Sequence, residues 1–376
     1  MNIVSRYLTR NIALAIAFVL FGFIALFAFF DFINELDDIG KGAYKVQHAL
    51  AFVLLEVPSH IYELMPIACV IGAIYALAQL AANSEFTAMR AAGLGRRGAL
   101  VAVLTVGLAC AVFTIIVGEF LAPPAEKLGQ QVRLLNMGVS AAGQFRSGVW
   151  LKDTPLSQGA GQQKATRFVN VGEVRPDGQL LAVKIFEFDK QYRLSEIIEA
   201  KSARFARNNE WQLATGKSTK MQAGKGNEEL LLEATETLFS ERTWISELNP
   251  DIFSVLLIDP TRMSAYSLVQ YVRHLEDNKQ QANRYEIAMW QKLIYPLAAV
   301  VMVFLALPFA YLQARAGGIG VKVFAGIMLG ISFHFMNGLF SHLGLLNTWP
   351  PLVTVIIPPT IALMIAIAML AWVDRT

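Results

Sequence analysis

Gly216-Lys217-Ser218 supplies the last three positions of a phosphate-cradling loop, G-x-x-x-x-G-K-[ST]. That loop needs its first glycine so that backbone N–H groups can close on a phosphate, and Trp211 stands there instead. ATP chemistry within this chain is therefore not expected. Five histidines invite a metal reading. His334 and His342 share an apolar stretch with Ser332 and Asn337, but no two histidines have the i, i+4 spacing of a helical zinc motif. Polar groups hydrogen-bonded between helices are the plainer role. Ser332 and His334 could serve a membrane-embedded hydrolase, although two residues apart on a helix they do not share a face. Cys69 and Cys110 both lie in apolar runs and offer neither a disulfide framework nor a thiolate metal site. Glu56, Glu63, Glu119 and Lys292 sit at the edges of apolar runs. An intramembrane charge is a functional hypothesis by default, yet none of these reaches a midplane, so interfacial anchoring or helix capping is the simpler reading. No catalytic residue, metal or cofactor is expected in this chain.

The elements that must hold these residues follow from where charges stop. Of 376 residues, 55% are hydrophobic and 16% charged, too apolar for a soluble globular chain. A net charge of +3 makes no case for nucleic acid. A helical crossing needs about 20 apolar residues. Residues 11–30, 64–84, 98–118 and 293–314 are each free of charge. Val323 to Val373 is 51 uncharged residues long, which as one helix would reach about 77 Å. The stretch Gly344 to Pro351, with two prolines, divides it into spans near 323–342 and 351–373. Six crossings result. The first is read as a retained helix, because acidic residues follow its apolar run where a signal peptide would have a cleavage site. Basic residues concentrate at the N-terminus (Arg6, Arg10), in the second loop (Arg90, Arg96, Arg97) and in the fourth (Arg315, Lys322). By the positive-inside rule both termini are cytoplasmic.

Residues 119–292 then lie on the far side of the membrane. Between 122 and 286 they carry 21 basic and 20 acidic side chains, a soluble mixture. Pro123 to Met137 and Ser264 to Met289 read as helices running into the membrane. Between them, alternating or β-rich runs occupy 149–152, 167–174, 180–188, 197–205, 211–215, 230–232 and 243–245, with turns at Pro176-Asp177-Gly178 and Asn208-Asn209. Ser157–Gln163 reads as a mobile tip. The expected fold is a polytopic α-helical membrane protein, three spans plus three, with an inserted antiparallel β-sandwich or jellyroll. Its boundaries are set at residues 1–122, 123–286 and 287–376.

The second loop, Asn83 to Arg97, begins like a capped helix with an acid near its start and ends at glycine. On such a helix Phe86, Met89 and Arg90 share one side. An exposed Phe and Met beside an arginine suit a docking surface, and equally an amphipathic helix lying at lipid headgroups.

Ser84-Glu85-Phe86-Thr87-Ala88-Met89-Arg90-Ala91-Ala92-Gly93 resembles the coupling-helix motif of the LptF/LptG permeases, membrane subunits of the lipopolysaccharide exporter. Gly118-Glu119-Phe120-Leu121-Ala122-Pro123 and Arg284 to Lys292 resemble the same family in order and placement, so the likeness covers the whole chain. The Arg284–Lys292 run and Phe32-Ile33-Asn34-Glu35-Leu36 resemble the LptG half more than LptF. The resemblance implies a Gram-negative inner-membrane location with a periplasmic β-jellyroll. It implies as partners an LptF-like permease, an LptB-like ATPase dimer, an LptC-like single-span protein and an LptA-like periplasmic bridge. Lipopolysaccharide would be the substrate, and ATP and Mg would be bound by the ATPase. Ser84, Glu85, Phe86, Met89, Arg90 and Gly93 would form the ATPase-coupling element. Spans one and five would line the substrate cavity, with Phe27, Phe30, Lys41 and Arg133 as lipid contacts.

One departure is visible. Relatives often carry basic residues around the outer end of span one, where this chain has Asp31, Asp37 and Asp38. Carboxylates repel phosphates unless a divalent cation bridges them. The implied task is demanding, since at about 0.8 kcal/mol per buried CH₂ a lipid with four to six chains of about a dozen carbons holds on the order of 40–60 kcal/mol in the bilayer. A permease that transmits ATPase motion without carrying lipid, and the Ser332/His334 hydrolase, are the alternative readings.

Overall fold

The computed structural model describes residues 3–137, 148–153, 166–175, 178–189, 191–206, 209–223, 232–246, 248, 259–277, 280–311 and 318–373. The expected tip at 157–163, the Pro176-Asp177 and Asn208 turn positions, residues 230–231 and Arg315 lie outside these. Before the sheet come α1 (Ile3–Leu36), α2 (Val46–Ala82), the short α3 (Glu85–Ala91), α4 (Arg96–Ile116), a π-helical turn (Val117–Leu121) and α5 (Ala122–Met137). After it come a 3₁₀ turn (Pro260–Arg262), α6 (Ala265–Asp277), α7 (Asn283–Ala306), α8 (Pro308–Tyr311), α9 (Ile319–Leu346) and α10 (Pro351–Val373). Among the described residues six helical stretches are long and apolar enough to cross a membrane: Ile3–Leu36, Val46–Ala82, Arg96–Met137, Asn283–Tyr311, Ile319–Leu346 and Pro351–Trp372. The break between the last two falls at Asn347–Pro350, where the proline-rich stretch placed it.

α2 is the axis of the bundle, with 83% of its apolar window buried; α1, α4, α7 and α9 pack on it, and α10 packs on α7 and α9. Association within a bilayer depends on close backbone approach at small residues. At Gly72 a Cβ would lie 2.6 Å from the Cα of Ile16, so α1 crosses α2 where no side chain intervenes. α1 and α9 are the least buried spans, at 17% and 22%. They present Phe18, Phe21, Phe324 and Phe335 outward.

The π turn has a local cause. Pro123 and Pro124 donate no N–H to the preceding turn, and Gly118 presses its backbone against the Tyr62 ring, 2.3 Å from where a Cβ would sit. Widening the helix by one residue there turns Glu119 outward to α6. Its carboxylate accepts the N–H of Ala265 at 2.8 Å and of Tyr266 at 3.3 Å.

Between the helical halves stand β1 (Val149–Asp153), β2 (Thr166–Val174), β3 (Leu180–Phe188), β4 (Leu194–Phe205), β5 (Glu210–Ala223) and β6 (Leu232–Ile245). Among the described residues they form one antiparallel sheet in consecutive order. Their place between the two helical groups agrees with the inserted antiparallel β domain expected from the alternation. Alternation puts Val169, Val171, Val183, Ile185, Ile198 and Leu213 into one core, which continues into Leu268, Tyr271 and Leu275 of α6. Leu232, the last residue of the first short run, and the run expected at 243–245 belong to one strand, β6. Ala234 to Leu238 are all exposed, so burial leaves no apolar signature there, and the ladder to β5 defines the strand.

Candidate coupling and lipid-contact sites

α3 is built by its ends. Ser84 has φ +60° and makes no side-chain cap, contrary to the capped start expected of it. Glu85 is held from outside: Tyr7 of α1 donates to its Oε2 at 2.9 Å and Asn83 to its Oε1 at 3.3 Å. At the other end Gly93 (φ +97°) sends its N–H to Arg90 O, and Leu94 sends its N–H to Met89 O. This paired closure needs a left-handed residue, which glycine supplies without strain.

The expectation of an exposed Phe86 and Met89 is corrected. Phe86 is 2% and Met89 8% exposed, both within the transmembrane core. The Phe86 ring meets Tyr311 of α8 edge-on, centroids 5.2 Å apart. Arg90 lies over the same Tyr311 ring at 5.6 Å. Seven residues at the base of a helical bundle are too few to stand alone, so the apolar side of α3 turns inward for support. Thr87, Ala88, Arg90, Ala91 and Ala92 remain outward. α3 is thus tied to α1 through Tyr7 and to α8 through Tyr311.

At the opposite end of the bundle, Arg133 of α5 is not an open cation. Its guanidinium pairs with Asp38 and, at 3.4 Å, with Glu35, and it lies over the Phe52 ring at 5.4 Å. Lys41 also pairs with Asp38 at 2.6 Å while staying largely exposed. The Lys41 hydrogen bond, followed by that of Arg133, holds the Asp38 carboxyl below its ordinary range. Tyr44 donates to Glu35 Oε2 at 2.7 Å, and burial together with that carboxylate pushes its phenol up. Asp38, one of the acidic departures, is therefore answered inside the chain by both cations expected to face lipid. Phe27 and Phe30 are exposed on α1, within two turns of this cluster. Nearer the other end of α1, a cavity of about 660 Å³ opens between α1 and α4, lined by Arg6, Arg10, Leu20, Phe21, Met65 and Phe113.

A second cluster escaped sequence reasoning. Arg262 donates to Glu56 Oε1 at 2.9 Å and to both Glu126 oxygens at 3.0 and 3.1 Å. His60 Nε2 lies 2.5 Å from Asp31 Oδ2. Glu56 and His60 are one helical turn apart on α2, a spacing that a search restricted to histidine pairs passes over. Glu119 is a helix cap, as its edge position suggested. Lys292 contacts Thr261 O at 3.3 Å and the Tyr62 ring at 4.3 Å.

The remaining candidates resolve simply. Gly216-Lys217-Ser218 lies mid-strand in β5, paired with β4 and β6, and Lys217 pairs with Glu199 and Glu236. Extended backbone cannot curl around a phosphate. Ser332 and His334 are exposed on different faces of α9. On α9 it is Ser341, and neither His334 nor His342, that the structure shows linked to another span: Gln291 donates to its Oγ at 2.6 Å. His342 Nδ1 lies 3.0 Å from Gly338 O of its own helix.

Comparison with known sequences agrees with this architecture. The sequence model described as "Lipopolysaccharide export system permease LptF/LptG" matches residues 6–372. The chain is 28% identical over 370 residues to the lipopolysaccharide export system permease protein LptG of Escherichia coli K12, covering 98% of each. It is 29% identical over 373 residues to the LptG protein of Haemophilus influenzae Rd, covering 99% of this chain and 98% of that one. A match running from α1 through the sheet into α10, together with six spans in two groups of three, is a whole-chain correspondence, and the chain belongs to the LptF/LptG family of lipopolysaccharide export permeases.

Proposed function

We propose that this chain is the LptG-like permease subunit of an ATP-driven exporter in the Gram-negative inner membrane. In this reading it extracts lipopolysaccharide from the bilayer and passes it along the β domain, on the periplasmic side, toward a bridge to the outer membrane. Both termini and α3 are then cytoplasmic. The observation that carries the reading is the rooting of α3: a helix exposed on one side and fixed to α1 and α8 on the other can transmit displacement from a docked partner into the spans. An LptB-like ATPase dimer binds ATP and Mg and docks on α3. An LptF-like permease faces α1 and α9, whose exposed aromatic surfaces suit a shared lipid-filled seam. An LptC-like single-span protein and an LptA-like bridge receive the lipid.

The test is native mass spectrometry of the complex purified through a tag on this chain. The reading expects two ATPase copies, a second permease of similar mass and an adduct of lipopolysaccharide size. A chain that carries no ATPase and no lipid under conditions that keep it folded would overturn it.

A further inference from the structure

The sheet-side end of α1 and α2 holds more buried negative charge than its cations answer. Arg133 and Lys41 are both engaged with the Glu35 and Asp38 carboxylates. That leaves Arg262 facing Glu56 and Glu126, with Asp31 and His60 beside them. Among the described residues three carboxylates face one guanidinium there, so carboxylates outnumber it, and the His60 imidazole lies 2.5 Å from Asp31 Oδ2. Glu56 and Asp31 are mostly sheltered, and the His60 imidazole is more than nine-tenths buried. Sheltering such charge without a counter-ion is costly, so the site must take up protons or a cation.

Geometry points to the cation. Asp31, Glu56 and His60 each offer one donor atom, and the three atoms lie within 4.8 Å of one another. They come from two helices: Glu56 and His60 from adjacent turns of α2, Asp31 from the facing turn of α1. The donors are held as metal ligands usually are, by a surrounding shell. Arg262 hydrogen-bonds Glu56 at 2.9 Å. Phe27, one turn before Asp31, packs its ring against His60 with centroids 5.3 Å apart. We propose that Asp31, Glu56 and His60 bind a divalent cation, Zn²⁺ or Mn²⁺, between α1 and α2. An imidazole with two carboxylates selects such first-row ions over Ca²⁺ and Mg²⁺, which prefer oxygen alone. A 2+ ion also offsets the excess of carboxylate charge. Three protein ligands leave further coordination positions open to water or another oxygen donor. The proposal goes beyond transport: it concerns cation binding by this chain and holds or fails whatever the chain carries.

The full chain, stripped with a chelator and placed in nanodiscs without nucleotide, is titrated with Mn²⁺ and followed by electron paramagnetic resonance. One Mn²⁺ per chain is expected, displaced by Zn²⁺, with nitrogen coupling from the His60 imidazole in pulsed spectra. Asp31→Asn and His60→Gln should each weaken binding by about 10-fold or more, while Glu63→Gln leaves it unchanged. The nitrogen signal is read on the unmutated chain, so a variant that misfolds does not shield the idea. Absence of stoichiometric binding, or binding without nitrogen coupling, would overturn the proposal. Binding unaffected by D31N and H60Q in folded protein would place the ion elsewhere.

Discussion

Phe86 and Tyr311 meet edge to face, with centroids 5.2 Å apart and rings at 89°, although one precedes the β domain and the other follows it. This contact joins the two helical halves at the base of the bundle, and Arg90 rests on the other partner of the pair, the Tyr311 ring. α3 therefore has an anchoring side and a presenting side, and substitutions on the two sides should separate.

On the anchoring side, Phe86→Ala empties a buried ring site and should destabilise the bundle by about 3 kcal/mol. A thermal shift in detergent measures it. Bound ATPase should fall in the same preparation, because α3 loses its anchor.

On the presenting side, Ala88→Glu alters an exposed position and should leave the thermal shift within about 0.5 kcal/mol of the parent. Co-purified ATPase should drop sharply. Undiminished ATPase would show that the outward face of α3 is not the docking surface.

Gly118→Ala places a methyl 2.3 Å from the Tyr62 ring. The ring or the π turn must move, at a cost of about 1–3 kcal/mol. Tyr62→Leu should relieve most of that penalty, so a double-mutant cycle gives a coupling of matching sign. An additive cycle would rule out the close approach.

Glu119→Gln weakens the cap on α6, which now receives two backbone N–H groups on a carboxylate. A loss of about 0.5–2 kcal/mol is expected, seen as faster amide exchange in Ala265–Asp277 and not across β2 or β3.

Glu196 links strands through Arg242 at 2.6 Å and Ser218 at 2.5 Å. Burial pushes its carboxyl up, but the hydrogen bonds from Arg242 and Ser218 outweigh burial and leave it below the ordinary range. A depressed folded value means stability present above the unfolded carboxylate range and lost as pH falls through the folded one. Glu196→Gln should lower sheet stability by about 1–3 kcal/mol at neutral pH and flatten its decline from about pH 5 downward. Parallel acid melts of the two chains check both.

Charge-free runs and the proline break near Pro350 were enough for six spans, because a bilayer admits few ways to hide backbone polar groups and helix length follows from its thickness. Strict alternation likewise sufficed for β2 and β3, whose cores are buried on one face. β6 stayed hidden because an exposed polar strand owes its identity to pairing partners. The loop from Asn83 to Arg97 was legible as a helix, but not which of its faces points inward: Phe86 and Met89 are apolar under either orientation, and only the position of Tyr311 selects one. Charges were the least legible. Arg133 and its partner Asp38 are far apart in sequence, as are Arg262 and Glu126, and which carboxylate answers which cation depends on helices brought side by side. Local pattern determines what each segment becomes, whereas packing decides what each charge meets, since electrostatic partners are chosen by distance in space.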